Sequence, residues 1–443
     1  MHAQGRQKAG WVVAALVGSV LWSTRAWAQE AVPAGAGRID SGDTAWMLAA
    51  SALVAAMIVP GLALFYGGMV RSKNVLGTMT HSFLVLCVVS LVWAFCGYSL
   101  AFAPDKGGVI GGLEWTLLSG VGAAPHPVYA PTVPHVAFML FQLLFAAFTP
   151  ALIVGAFAER IRFSALVGFT VAWSLFVYAP LAHWMWGGGW LSRLGAVDFA
   201  GGTVVHLSAG ASALACALVL GRRRGWRTEY MAPHNLPFVL AGTGLLWFGW
   251  FGFNGGSARG ANGVAAGAVA ATHLAAAAAA LAWMTVEWTH RGKPTVLGIA
   301  SGAVAGMASV TAGAGFVGPV SAVLLGAIAG VLAYLAIVWK GQFGYDDTLD
   351  VVGLHGVGGV VGMLGVGLFA STAVNPAGPN GLVFGNPGQL AIQAMAAGVA
   401  VVFAFVGTYI ILKVLDGMIT LRVSPEEEAT GLDLSQHNER AYS

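Results

Sequence analysis

The 443-residue chain is 57% hydrophobic but only 9% charged, with a formal net charge of +3. A soluble domain carries about 25% charged residues, so this composition excludes a water-coated globular protein. Apolar runs close to the ~20 residues that cross a bilayer recur along the chain and indicate an all-α membrane protein.

Residues 1–28 read as a signal peptide. Arg6 and Lys8 precede the apolar stretch Trp11–Trp22, and Ala26-Trp27-Ala28 is a small-x-small cleavage site before Gln29. Residues 29–43 then form an external N-terminal segment. Spans are expected at 44–67, 77–103, 135–157, 163–185, 203–220, 237–257, 263–287, 297–315, 319–339, 351–371 and 389–415. That makes eleven transmembrane helices within residues 44–415, followed by a charged tail at 416–443.

A processed signal places the mature N-terminus outside the cytoplasmic (inner) membrane. Basic residues test this independently. Beyond the signal, 14 fall on the expected cytoplasmic side, among them Arg71, Arg160, Arg223 and Arg422. Four fall outside: Arg38, Lys106, Arg193 and Arg259. An odd number of spans leaves the C-terminus cytoplasmic. The outer loop 104–134, rich in Pro and Gly, is expected to cap a vestibule, and the polar tail cannot enter lipid and is available to a soluble partner.

Glycine accounts for 63 residues, about twice the usual ~7%. Gly298, Gly302 and Gly306, Gly326 and Gly330, and Gly358 and Gly362 recur at four-residue spacing, which suits close helix packing in lipid. Cys87 and Cys96, on one helix, lie about 13 Å apart and cannot form a disulfide.

Ionisable side chains at membrane depth face cavities or one another. His206, His273 and His355 lie mid-span. His206 follows Asp198 on the fifth span, and His355 follows Asp350 on the tenth. Five helices separate these two Asp-before-His segments, so the two five-helix halves run in opposite directions, as in an inverted repeat that brings matching residues together at the midplane. His273 has no such counterpart and is read as structural. Among the aromatics near these positions, Phe141, Phe145, Trp250 and Phe253 suit packing as well as contact. Trp186 stands beside Gly187-Gly188-Gly189, which leaves its indole face open to a cation, and Ser257 adds a hydrogen-bond acceptor.

Phe141-Gln142 through Phe145, Ala158 to Ser164, Asp198 to His206, Trp247 to Ser257, Asp346 to Gly356 and the tail motif Glu439-Arg440-Ala441-Tyr442 together resemble the ammonium transporter family (Amt/Mep/Rh), bacterial Amt type, from about residue 43 onward. The resemblance implies an eleven-helix fold and a channel-like ammonium transporter with no cofactor. It implies that Phe145, Trp186 and Ser257 recruit ammonium, with Asp198 as structural support. Phe145 and Phe253 would form a gate, and His206 and His355, with Trp250 and Phe141, would line the pore. It further implies a homotrimer and a PII-type regulatory protein at the cytoplasmic tail. An enzyme is disfavoured because the mid-span histidines come one per helix, without H-x-x-H-H or H-E-x-x-H spacing. An ammonium sensor with little flux is the alternative, against which stands a tail too short for a signalling domain.

Overall fold

The computed structural model describes residues 37–442, so the signal-peptide expectation and the start of the 29–43 segment lie outside the described residues. Helix α1 (Ser41–Met69) begins earlier than expected because the Asp40 side chain caps it, accepting a hydrogen bond from the Asp43 amide at 2.8 Å. There follow α2 (Ser72–Phe102), α3 (His135–Phe157), α4 (Phe163–Arg193, interrupted by a turn after Met185), α5 (Gly202–Leu220) and α6 (Leu236–Gly256). The second half comprises α7 (Gly263–Arg291), α8 (Val296–Val310), α9 (Pro319–Phe343), α10 (Val352–Phe369) and α11 (Pro387–Met418). The eighth is shorter than the expected 297–315, because the chain leaves the helix at Thr311 and continues in buried turns. Helices satisfy their own backbone groups, the condition for any chain surrounded by hydrocarbon.

Small residues set the helix spacings. Methyl groups added at Gly302 and Gly306 of α8, or at Gly326 and Gly330 of α9, would fall 2.2–2.9 Å from the carbonyl oxygens of Ala275 or Ala279. Both helices therefore press backbone to backbone against the alanine-rich α7.

The inverted repeat is visible in atomic detail. His206 and His355 each lie in a six-residue π-helical segment, Gly202–Leu207 and Val352–Val357, at the start of α5 and α10. Four residues past each histidine, a glycine meets the residue that follows the other histidine. A Cβ on Gly210 would lie 2.2 Å from the Gly356 Cα, and one on Gly359 would lie 2.8 Å from the Leu207 amide nitrogen. The sequence pairing of Asp198 with Asp350 is corrected here. Asp198 accepts a bond from the amide of Thr203, five residues on, at 2.8 Å, and its equivalent is Asp347, which accepts from Val352, also five residues on, at 2.7 Å. Asp350 instead adopts a left-handed backbone (φ 64°) and pairs with Lys340.

The loop 104–134 is not wholly irregular. It contains two short hairpins, β1 (Asp105–Lys106) with β2 (Ile110–Gly111) and β3 (Pro125–His126) with β4 (Ala130–Pro134). They cover the end of the bundle where α1 begins, here termed the amino end. The opposite, carboxyl end gathers Arg71, Arg160 and Arg223 around Glu159 and Asp346. Burial alone would raise the Glu159 pKa, but the Arg223 and Arg71 guanidiniums prevail and hold it below the ordinary glutamate range.

The tail, expected as a charged segment available to a soluble partner, is folded onto this end. Helices α12 (Pro425–Thr430) and α13 (Leu432–His437) are short, and Ser424 with Glu427 forms a capping box on the first. Asp433 accepts from the amides of Leu76 and Gly77 at 3.1 and 2.8 Å, satisfying open donors in the first turn of α2. Glu428 accepts from the Arg224 amide at 2.6 Å and pairs with Arg422 at 2.7 Å. Glu428 and Asp433 are therefore buried hydrogen-bonding anchors.

Gly210→Ala must push α5 and α10 apart, and overpacking of this kind costs roughly 1–3 kcal/mol. The variant is expected to melt earlier than the parent in detergent, and unchanged melting would contradict the close crossing. Asp433→Ala is expected to expose the tail to limited proteolysis while the helical core resists. A tail as resistant as the parent's would show that this anchor is dispensable.

Candidate functional site

A vestibule of about 450 Å³ opens at the amino end, lined among others by Phe141, Gln142, Phe145, Trp186, Asp198 and Ser257. The turn that ends the main run of α4 brings Trp186 to it. The Trp186 indole N–H donates to the Asp198 carbonyl at 2.8 Å, which fixes the ring plane. The Asp198 carboxylate accepts four backbone N–H groups, from Gly201, Gly202, Thr203 and Val204, at 2.7–3.1 Å. Such a carboxylate holds the entry into α5 and has little capacity left for a ligand. Gly201 (φ 111°) makes the turn, in a backbone region that favours glycine. Ser257 ends α6. Its hydroxyl donates to the Phe253 carbonyl at 2.8 Å, leaving oxygen lone pairs for the vestibule.

From this mouth a file of rings leads into the bundle. Phe145 stands edge-on to Trp186 at 6.1 Å between centroids and stacks on Phe253 at 3.9 Å with an 18° interplanar angle. Phe141 packs beside Phe145 at 4.8 Å. Both rings of the stack are buried, so the vestibule floor is hydrocarbon. Beyond it His206 lies 6.1 Å from Phe253, and the two histidines face one another with their Nδ1 atoms 3.2 Å apart. One Nδ1 must carry the proton and the other must accept it. His206 Nε2 is buried with no hydrogen-bond partner. Trp250 stacks on His206 at 5.3 Å, and its own N–H is held by Thr311 at 2.9 Å.

Every residue singled out from the sequence at this end, Phe141, Phe145, Trp186, Asp198, Trp250, Phe253 and Ser257, thus falls along one path with His206 and His355. His273 does not. It lies on an exposed face of α7, packed against Trp247 and Phe251. Three contributors escaped the sequence reading. Phe148 packs against both Trp250 and Phe253, and Thr311 orients Trp250. Gln142 faces the vestibule with its side-chain oxygen unpartnered. As a lone amide inside an apolar span, Gln142 carried a usable signal, whereas Phe148 and Thr311 carried none.

At the two ends of the repeat the chemistry diverges. Where the Trp186 indole donates to the carbonyl of Asp198, the Lys340 ammonium donates to the carbonyl of Asp347 at 2.7 Å. An aromatic face at one end of the bundle thus corresponds to a fixed cation, paired with Asp350, at the other.

The sequence profile described as the Ammonium Transporter Family matches residues 45–442. An ammonium transporter of Bacillus subtilis (strain 168) is 50% identical over 405 residues, covering 91% of this chain and 99% of that protein. The crystal structure of Candida albicans Mep2 superposes with a TM-score of 0.83 at 37% identity, covering 88% of each chain. A structure described as a Sensor Amt Protein superposes with a TM-score of 0.82 at 30% identity, covering 89% of this chain and 98% of that one. The matched region includes the vestibule, the stacked rings and both histidines, and the chain belongs to the ammonium transporter family.

Proposed function

We propose that this ammonium transporter collects the cation at the amino-end vestibule, removes a proton, and passes ammonia through the ring-lined conduit into the cell. The Nδ1–Nδ1 contact of His206 and His355, directly behind the Phe145–Phe253 stack, carries this reading. Placing a bare ion in a low-dielectric interior costs tens of kcal/mol by Born solvation, and proteins escape that cost by neutralising the group. A cation–π contact and a serine oxygen return roughly 1–2 kcal/mol each. Such contacts suffice to gather ammonium over Trp186 and Phe145 beside Ser257, and fall far short of carrying it dry past two stacked phenyl rings.

Deprotonation removes the obstacle. Ammonia is neutral and slips past the rings, while the proton it leaves is taken up at one nitrogen of the imidazole pair and released from another toward the far side, so that one charge crosses with each ammonia. Potassium has no proton to give up, so its full charge meets the hydrocarbon floor. Asp198 serves as a brace: it spends its acceptor capacity on the backbone that positions Trp186 and the His206 segment.

The same reading places the amino end outside the inner membrane and the arginine-rich carboxyl end in the cytoplasm, in line with the basic-residue bias. It includes a homotrimer, testable by native mass spectrometry, and a PII-type regulatory protein at the tail. Failure of such a protein to co-purify under nitrogen-replete conditions would remove that partner. A sensing role with little flux is the second reading, supported by the likeness to the Sensor Amt Protein. Growth of a transport-deficient strain on low ammonium separates the two, and rescue by this chain is expected.

His206→Ala and His355→Ala are each expected to cut ammonium current in proteoliposomes at least tenfold or to admit potassium. Variants that keep both current and selectivity would rule out proton handling by the pair. Trp186→Leu is expected to raise the half-saturating ammonium concentration by about 5- to 30-fold, the equivalent of ~1–2 kcal/mol of cation–π attraction.

A further inference from the structure

The vestibule wall holds a basic residue that the transport reading does not use. Arg259 lines the same cavity as Trp186 and lies two residues beyond Ser257. Among the described residues it forms no ion pair. Its guanidinium donates only to two neutral carbonyls of the covering hairpin, Val128 at 3.3 Å and Tyr129 at 3.5 Å. Two other basic residues of this end are neutralised: Arg193 pairs with Asp105 at 2.7 Å and Lys106 with Glu114 at 2.7 Å. The nearby carboxylates keep their negative charge but spend acceptor oxygens on backbone amides and form no ion pair with Arg259. Asp43 accepts from the Ala261 amide at 2.8 Å, and Asp198 is occupied by its four backbone donors. Arg259 also has a left-handed backbone (φ 59°), where glycine would sit without strain, so local conformation does not account for an arginine.

We propose that Arg259 lowers the affinity of the vestibule for its cation, as an unpaired like charge beside the recruitment site. The proposal rests on the reading of Trp186 and Ser257 as that site. An unpaired guanidinium on the wall of a water-filled mouth weakens a monovalent cation by roughly 2- to 10-fold, depending on the effective dielectric. Salt screens the effect, since the Debye length is about 10 Å at 0.1 M ionic strength. The mouth therefore holds ammonium less tightly than the indole and the hydroxyl alone would, and its apparent affinity rises with ionic strength. A second role for the side chain, tying the α6–α7 turn to the β3–β4 hairpin, depends on hydrogen bonding and is experimentally separable from its charge.

The test uses the full chain in proteoliposomes and reads the half-saturating ammonium concentration for the current at low and high ionic strength. Arg259→Met is expected to lower it by about 2- to 10-fold at low salt, with the gap closing at high salt. Arg259→Lys, which keeps the charge, is expected to match the parent. If Met and Lys both leave the value unchanged, or both move it equally at every salt concentration, the charge has no such role and the proposal is overturned. Size-exclusion profiles and the Lys variant guard against a folding defect. Failure of the underlying reading shows separately, as a Trp186→Leu variant whose half-saturation matches the parent's.

Discussion

Two imidazoles share one hydrogen bond in the middle of a hydrocarbon-lined bundle, and much of the chain serves to hold them there. The contact requires α5 and α10 to approach until Gly210 faces Gly356 and Gly359 faces Leu207, a distance at which any side chain would intrude. It also requires each helix to begin at a set depth. Asp198 and Asp347 provide this by gathering the first amides of the two π-helical segments. Asp198 is held by four oriented N–H dipoles, an arrangement worth more in a low-dielectric setting than in water, whereas Asp347 accepts from the Val352 amide on one oxygen and leaves the other unpartnered.

In the proposed function, the energetics around that centre divide into a mouth and a barrier. The mouth offers weak, wet attractions that an ion can enter and leave. The barrier is the stacked pair Phe145 and Phe253, which gives a cation nothing to replace its lost water. The asymmetry between Trp186 at one end and Lys340 at the other shows that the two halves share geometry and differ in the chemistry of their ends. The carboxyl end is tied down by arginine–carboxylate contacts and by a tail whose Asp433 completes the first turn of α2, so anything that moves the tail acts directly on a helix terminus.

Much of this was legible in the sequence for identifiable reasons. Lipid allows only long apolar helices, so hydropathy and basic-residue bias located the spans, and the small-residue spacing of α8 and α9 marked their packing. The site residues stood out because histidines within apolar runs are costly. What remained hidden depends on three-dimensional placement. Asp350 lies nearer to His355 in sequence, yet Asp347 has the reach to cap the helix. The tail's charge marked it as unable to enter lipid, and only the fold reveals the open amides that Glu428 and Asp433 satisfy. Arg259 counted as one of four outer basic residues, and its lack of a carboxylate partner is a tertiary fact.

The central claim is that the permeant gives up its proton instead of crossing the ring-lined conduit as an intact ion. Electrical recording from the reconstituted protein, comparing ammonium, methylammonium and potassium at equal concentration, tests it most directly. The account predicts saturable currents for the two protonated amines and none for potassium. A potassium current comparable to that of ammonium would show that an intact ion crosses, and would contradict it.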